Sequence, residues 1–382
     1  MKLRNSGKAA IVISALVGSS HVLAEGQNVD FYGNIAAGYN SYNMSKIDLD
    51  DAKVAAAYAE AAGLDAANPG VGPTADQNYS AISSGYSTAK FGLNFVASEK
   101  VTGKLEFKTG LSDASGDQSP TVRKYFLNVD LGAGNLKFGR DTRVYAGAAG
   151  AADRFSMVNT AYAGSVYGPT RAAGITYDTG DLLGPAKVKI GLLNPTTGTA
   201  APKPAGGNSE PGVEAGVSFS SGGFGGDFAV VSEKRTYGAA GATDVANVMG
   251  YALALKANVA MIDAVLVYTG GDAIYSRVVT GASLNKDQND TMSALALNVQ
   301  ANFDDLNVGV YYGMETLTHL KKNTGFTEDK EDVGQTMALH VGYAWNGVTW
   351  TGEVASTTRT YDDQTVRDEM FATIGAMTSF KS

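Results

Sequence analysis

Period-two alternation runs along most of the chain and constrains the fold more than any other feature. In residues 292–303, Leu297 and Phe303 fall on one face of an extended strand, while Asn298 and Gln300 fall on the other. Other segments alternate in the same way: 101–109, 186–192 and 306–312. The pattern predicts β-sheet with one apolar face and one face that is small or polar.

Counted by this rule, the chain contains roughly sixteen strands. They are predicted near residues 29–39, 89–97, 101–111, 121–130, 135–141, 171–178, 186–193, 212–219, 227–233, 247–257, 261–269, 292–303, 305–313, 335–344, 348–359 and 371–380.

The connectors alternate in length. Short turns are predicted at 98–100, 132–134, 304–305 and 345–347, and long loops at 40–88, 142–170, 194–211, 234–246, 270–291, 314–334 and 360–370. Membrane barrels have short turns at one end and long loops at the other, whereas a soluble sandwich has no reason to separate them. An even strand count also lets a sheet close without an edge. We therefore predict an all-β transmembrane antiparallel barrel.

Membrane energetics assigns the two faces of the strands. A lysine on the lipid face near the bilayer midplane costs roughly 2–4 kcal/mol, so charged strand residues must point into the lumen. The predicted pore-lining residues are Lys104, Lys108, Lys124, Lys187, Lys189, Lys256, Glu106 and His340. The lumen is therefore expected to be charged and filled with water.

The first 24 residues predict an exported protein. Lys2, Arg4 and Lys8 precede an apolar run, and Ala24 is a small residue suited to signal-peptidase cleavage. The domain would then be residues 25–382. Without the three basic residues of this segment, the 30 basic and 38 acidic residues of the chain leave 27 − 38 = −11. This balance argues against a nucleic-acid partner. Cysteine is absent, which excludes thiolate metal sites, and we predict no cofactor.

Four segments resemble the Gram-negative general (trimeric) porin family: FYGN at 31–34, AKFGLNFVASE at 89–99, RKYFLNVDLGAGNLKFGRD at 123–141 and TRAAGITYDTG at 170–180. The resemblance implies a sixteen-stranded barrel, a homotrimer, and a third extracellular loop folded into the lumen. It also implies basic wall residues opposite acidic residues on that loop. The partners implied are outer-membrane lipid, lipopolysaccharide and small hydrophilic solutes.

Carried over by position, the resemblance gives the wall cations Lys90, Arg140 and Arg171, with Asp153 as the acidic residue on the loop. Lys104 and Arg143 would complete the constriction, and the Ala and Gly residues of 146–152 would let the loop lie flat against the wall.

Two alternatives concern the arginines of this loop. Strict alternation puts Arg140 on the face of Leu136 and Phe138, so an inward position requires a bulge at Gly139. The arginines could also tie the loop down by pairing with nearby aspartates, Asp141 and Asp153.

The sequence departs from the family pattern at its end, where Phe380 is followed by Lys381 and Ser382. Members typically end in Phe, which helps recognition by the assembly machinery. In the first long loop, residues 48–65 predict a helix that either covers the mouth of the pore or decorates it.

The leading hypothesis is a porin that lets small hydrophilic solutes and ions diffuse passively through the outer membrane. The lumenal lysines favour anions and the net charge favours cations, so the sign of the selectivity is open. A substrate-specific oligosaccharide porin, and a surface adhesin or phage receptor anchored by a barrel, are the alternatives. An enzyme is not expected, because His340 has no nucleophile beside it in any recognisable motif.

Overall fold

The structure is a computed structural model that describes residues 28–45, 77–82, 88–110, 120–155, 171–194, 211–237, 244–272, 291–319 and 330–381. The predicted signal peptide and the predicted helix at 48–65 lie outside these residues. Among the described residues, no helix is both long enough and apolar enough to cross a membrane.

The described chain is almost entirely β-strand, with one short helix. The elements are β1 (Asn28–Met44), β2 (Gln77–Ile82), β3 (Thr88–Ser98), β4 (Val101–Gly110), β5 (Thr121–Asp130), β6 (Asn135–Thr142), α1 (Val144–Ala149), β7 (Arg171–Asp178), β8 (Ala186–Leu193), β9 (Gly212–Ser221), β10 (Phe224–Tyr237), β11 (Asp244–Val259), β12 (Ile262–Asp272), β13 (Thr291–Phe303), β14 (Leu306–His319), β15 (Lys330–Trp345), β16 (Val348–Tyr361) and β17 (Gln364–Lys381).

These strands form one closed antiparallel barrel. Each strand pairs with its neighbours in the chain, and β1 pairs with β17 from Tyr32↔Lys381 to Met44↔Glu369, which closes the sheet. Both β2 and β3 pair with β1, so these two segments together make one barrel strand. The barrel therefore has 16 strands, which confirms the predicted fold.

The prediction of a long loop at residues 360–370 is wrong. The strands β16 and β17 stay paired up to Tyr361↔Gln364, and only Asp362 and Asp363 connect them. Both connecting residues are left-handed, with φ of 49° and 63°, as a two-residue hairpin turn that follows the twist of the strands requires. The segment β2 was also missed, because it lies inside the predicted loop 40–88.

The outer face of the barrel is apolar and the inner face is small or polar, as the alternation predicts. In β13, Leu297 and Phe303 are exposed on the outside, while Ala296 and Asn298 are fully buried on the inside. A continuous surface of exposed Leu, Val, Ile and Phe is what a hydrocarbon environment requires.

Replacing Leu297 by lysine tests this assignment. We expect the Leu297→Lys barrel to lose about 2–4 kcal/mol of folding stability in lipid bilayers, because a charge would enter the lipid face near the middle of a strand. The Gln300→Lys variant is the control, because it adds the same charge to the inner face of the same strand. Urea titration of folding into vesicles measures both, and equal losses would contradict the face assignment.

Candidate pore constriction

The segment that follows β6 folds into the lumen, which confirms this part of the predicted fold. We call its described part, residues 143–155, the lumenal loop. It begins with α1, which lies against the inner surface of β8 to β12. Its last described residue, Phe155, reaches β14 and β15.

Small side chains hold the lumenal loop close to the wall. The buried loop residues Ala148, Ala149 and Ala152 belong to one apolar cluster with wall residues of β10 to β13. The wall residues are Ala229, Val231, Ala252, Ala254, Val265, Val267, Ala294 and Ala296. Gly216 of β9 provides further space, because a Cβ atom there would stand 2.6 Å from Val144 Cγ1. Desolvation raises the pKa of the buried Tyr145 phenol above its ordinary value, so this side chain is neutral.

Arg143 anchors the start of the lumenal loop. Its side chain is fully buried and forms an ion pair with Glu233 of β10, while its Nε lies 3.7 Å from Glu214 Oε2 of β9. The backbone N–H groups of Val144 and Tyr145 donate to the Glu214 carboxylate over 2.8 and 3.2 Å. The Glu214 carboxylate therefore caps the first turn of α1, whose N–H groups have no partners within the helix.

This position of Arg143 differs from the sequence interpretation, in which its charge faces the pore. A wholly buried guanidinium between two carboxylates contributes no exposed positive charge to the lumen. Its role in the structure is to fix the loop to the wall.

A second anchor lies at the other end of the lumenal loop. Arg154 pairs with Asp263 of β12. Phe155 stacks on His340 of β15 with ring centroids 5.0 Å apart, and His340 Nδ1 lies 2.8 Å from Glu353 Oε1 of β16. His340 is on the lumen face, and the loop covers it. The arginines thus tie the loop down, and their partners include wall carboxylates that are distant in the sequence.

Charges on the lumen face divide the wall into two sectors. The first sector, β3 to β8, we call the basic half. Strand register and ion pairs place the described cations Lys90, Lys104, Lys108, Arg123, Lys124, Lys137, Lys187 and Lys189 on its lumen face. Its described lumenal carboxylates are Glu106, Asp130, Asp141 and Asp178.

The second sector, which we call the acidic half, is β9 to β17. Its described lumenal carboxylates are Glu214, Asp227, Glu233, Asp263, Glu315, Asp332, Glu353 and Glu369, and its described cations are Lys256, Arg359 and Lys381. Both anchoring arginines of the lumenal loop bind carboxylates of this half, so the loop lies on the acidic half.

An open chamber of about 550 Å³ separates α1 from the basic half. The lysines that line it are Lys124, Lys137 and Lys189, and they alternate with aspartates along the wall. Asp141 accepts a hydrogen bond from Lys137 and forms an ion pair with Lys124, and Lys189 Nζ lies 3.2 Å from Asp178 Oδ2. The chamber is the space that a solute passing the lumenal loop would occupy.

Two of the remaining predicted constriction residues, Lys90 and Lys104, lie on the basic half, whereas a third, Asp153, lies on the lumenal loop. Lys90 and Lys108 are directly opposite each other in the pairing of β3 with β4. Lys104 Nζ lies 4.5 Å from the centroid of the Tyr32 ring and 3.7 Å from Glu106 Oε2. Glu106 is buried and also pairs with Arg123 at 2.7 Å. Asp153 is exposed on the lumenal loop.

Two predicted pore-lining lysines are not among the residues that line the chamber, although Asp227, the partner of one of them, does line it. Lys187 pairs with Asp181 in the turn between β7 and β8. Lys256 is on the acidic half, paired with Asp227.

Arg140 does not follow the predicted inward position. It is opposite Tyr125 in β5 and Ala173 in β7, and neither pairing contains a register shift. Gly139 has a left-handed φ of 127°, yet the register places Arg140 on the face of Tyr125 and Phe138. Arg171 is the first residue of β7, and its side chain is outside the described part of the structure.

The sequence analysis missed the carboxylates that hold the lumenal loop: Glu214, Glu233, Asp263 and Glu353. The alternation of each strand places each of these carboxylates on the lumen face, and the sequence could have identified them as lumenal by this rule. Their partners could not be predicted, because Arg143 and Glu233 are 90 positions apart and no local motif connects them.

No known protein-family model matches the chain, and no curated protein sequence is similar enough to count as a relative. Solved structures are similar in fold. The outer-membrane channel DcaP of Acinetobacter baumannii superimposes with a TM-score of 0.67 at 16% identity, covering 93% of this chain and 98% of that one.

Two further barrels superimpose at similar coverage. An anion-selective porin from Comamonas acidovorans has a TM-score of 0.62 at 11% identity, covering 93% of this chain and all (100%) of that one. The trimer form of OmpT from Vibrio cholerae has a TM-score of 0.59 at 15% identity, with the same coverages of 93% and 100%. These likenesses show the fold that the chain shares with outer-membrane channels.

Proposed function

We propose that the protein is a channel of a bacterial outer membrane through which small hydrophilic solutes diffuse passively, with a preference for anions. The observation that carries this proposal is the position of the lumenal loop. It covers carboxylates of the acidic half and leaves the chamber bordered by lysines of the basic half.

The anchors of the loop explain the sign of the preference. Arg143 and Arg154 each neutralise wall carboxylates, so much of the acidic half is paired or covered. The chamber wall keeps Lys124, Lys137 and Lys189 within reach of solutes. Inside a narrow lumen with low-dielectric walls, such charges raise the local concentration of counter-ions.

The site residues take their proposed roles from this geometry. Lys90, Lys104 and Lys108 supply positive charge beside Arg123 and Lys124 on the basic half, and Asp153 is the acidic residue opposite them on the lumenal loop. A solute in the chamber would then experience a field directed across the lumen, which orients dipolar molecules.

The similar structures support this reading, because they include an outer-membrane channel and an anion-selective porin. A homotrimer is proposed on the same basis, since a trimer form is among them. Export through a signal peptide at residues 1–24, followed by insertion among outer-membrane lipid and lipopolysaccharide, completes the proposal.

Single-channel recording of the purified protein in a planar bilayer tests the function. We expect stepwise openings, and a reversal potential under a potassium chloride gradient whose sign indicates chloride preference. A cation-selective channel would overturn the anion preference alone. A correctly folded barrel that never opens would overturn the channel and favour an adhesin or phage receptor anchored by the barrel.

A further inference from the structure

Asp141 bridges two lysines on the wall of the chamber. Its Oδ1 lies 2.8 Å from Lys124 Nζ and its Oδ2 lies 2.6 Å from Lys137 Nζ. The three residues come from β5 and β6, and all three line the chamber. The Asp141 side chain is only 17% exposed, whereas its two lysines are 21% and 33% exposed. Both lysine side chains are therefore somewhat more exposed than the side chain of the aspartate that joins them.

The bridge also holds both lysines in place. Lys137 Nζ lies 4.6 Å from the centroid of the Phe126 ring, so a cation–π contact and the carboxylate restrain it from two sides. Long lysine side chains lose considerable rotamer freedom when they are restrained, and Asp141 stabilises this ordered state. The two ammonium groups are thus positioned before any solute arrives.

The bridge is close to the place where the lumenal loop narrows the path. Asp141 is separated from Arg143, the first residue of the loop, by Thr142 alone, and Thr142 lines the same chamber. A charge change here acts on solutes at the narrow part of the pore.

Conduction requires binding that is favourable enough for entry and weak enough for release. Two lysines without a carboxylate, in a lumen of low dielectric constant, would hold a carboxylate or inorganic anion for long times. With Asp141 between them, a passing anion competes for ammonium groups that already have a partner. The anion therefore exchanges and leaves.

We propose that Asp141 is a specificity-determining residue that limits the anion preference and keeps anion flux high by sharing Lys124 and Lys137 with passing anions. The solutes concerned are small inorganic anions and monocarboxylates. The inference rests on the proposed channel function and goes beyond it, because it assigns to a carboxylate the control of an anion pathway.

The test compares Asp141→Asn with wild-type protein in planar bilayers, using chloride and acetate as probes. At ~0.1 M salt we expect the chloride-to-potassium permeability ratio to rise about threefold, since a full negative charge beside the path is removed. Anion current should also saturate at lower salt concentration, because both probes are held longer. The Asp141→Glu variant, which keeps the carboxylate, should restore both properties.

A matched variant and a salt series separate this role from a structural one. Asp178→Asn removes the carboxylate of a single-lysine pair in the same chamber, so it should shift the ratio less. Electrostatic effects fade at 1 M salt, where the screening length is only about 3 Å. If the change in the permeability ratio of Asp141→Asn persists at 1 M salt, the inference is overturned. It is also overturned if that change is no larger than the change in Asp178→Asn. Open variant channels with an unchanged ratio would overturn it while leaving the proposed function intact, whereas a correctly folded wild-type barrel that never opens would instead refute that function.

Discussion

Replacing Arg143 by alanine will leave the lumenal loop poorly held and will make the open channel noisy. The substitution removes the counter-ion of the buried carboxylate of Glu214 and of the nearly buried carboxylate of Glu233. Leaving a buried charge without its partner costs about 3–5 kcal/mol, which is enough to favour detachment of α1 from the wall. Single-channel recording should show frequent partial closures, and limited proteolysis of the folded barrel should cut the loop faster than in the wild type.

Arg154→Ala is the control for this prediction. The Arg154–Asp263 pair is partly exposed, with side-chain exposures of 27% and 24%, and exposed pairs contribute only about 0–1 kcal/mol. Its channel should be nearly as quiet as the wild type. Combining Arg143→Met with Glu214→Gln and Glu233→Gln removes the buried charges together, and should restore a quiet current. Equal noise in the two arginine variants would show that the buried anchor has no special importance.

Exchanging two lysines of the chamber for glutamates will reverse the ion preference. In the Lys124→Glu/Lys137→Glu variant, Asp141 would sit between two further carboxylates on the open wall. The chloride-to-potassium permeability ratio should fall by at least about tenfold at low salt, because each exchange replaces a positive charge by a negative one beside the path. Reversal potentials under a salt gradient measure this ratio directly.

Lys187→Glu provides the comparison for that experiment. Lys187 is on the lumen face of the same half, but it is paired with Asp181 in a turn and is absent from the chamber lining. We expect it to change the ratio much less. A chamber variant with unaltered selectivity and normal conductance would mean that solutes take another route through the barrel.

The strands were predictable from the sequence because lipid and water demand opposite side chains every second residue. This rule located every barrel strand, as β13 illustrates. It failed at 360–370, where β16 and β17 extend beyond the apolar band. Polar residues such as Thr360, Thr365 and Asp368 there continue the hairpin without the apolar alternation that marks a membrane strand. Polar strands of this kind resemble loops in sequence.

The constriction was less predictable, because its contacts join distant parts of the chain. The composition of residues 146–152 indicated a loop that lies flat, and the structure agrees. The resemblance placed arginines near the pore, but only the fold could show that Arg143 is buried between carboxylates of β9 and β10. Arg140 illustrates the opposite case, since simple alternation placed it correctly and the bulge required by the resemblance did not occur.

The contact between α1 and the wall includes some of the smallest side chains on both sides, Gly216 on the wall and Ala148 and Ala149 on the helix, beside larger ones such as Tyr145. Closely packed glycine and alanine surfaces also join helices within membranes, where backbones approach closely. The size of the side chains in such a contact sets the distance between the helix and the wall. Adding one or two methyl groups to either surface would push α1 toward the basic half and reduce the bore, while every barrel strand stayed unchanged. Relatives of this protein could thus acquire different size limits through single substitutions at this contact, while the charged residues of the chamber stayed unchanged.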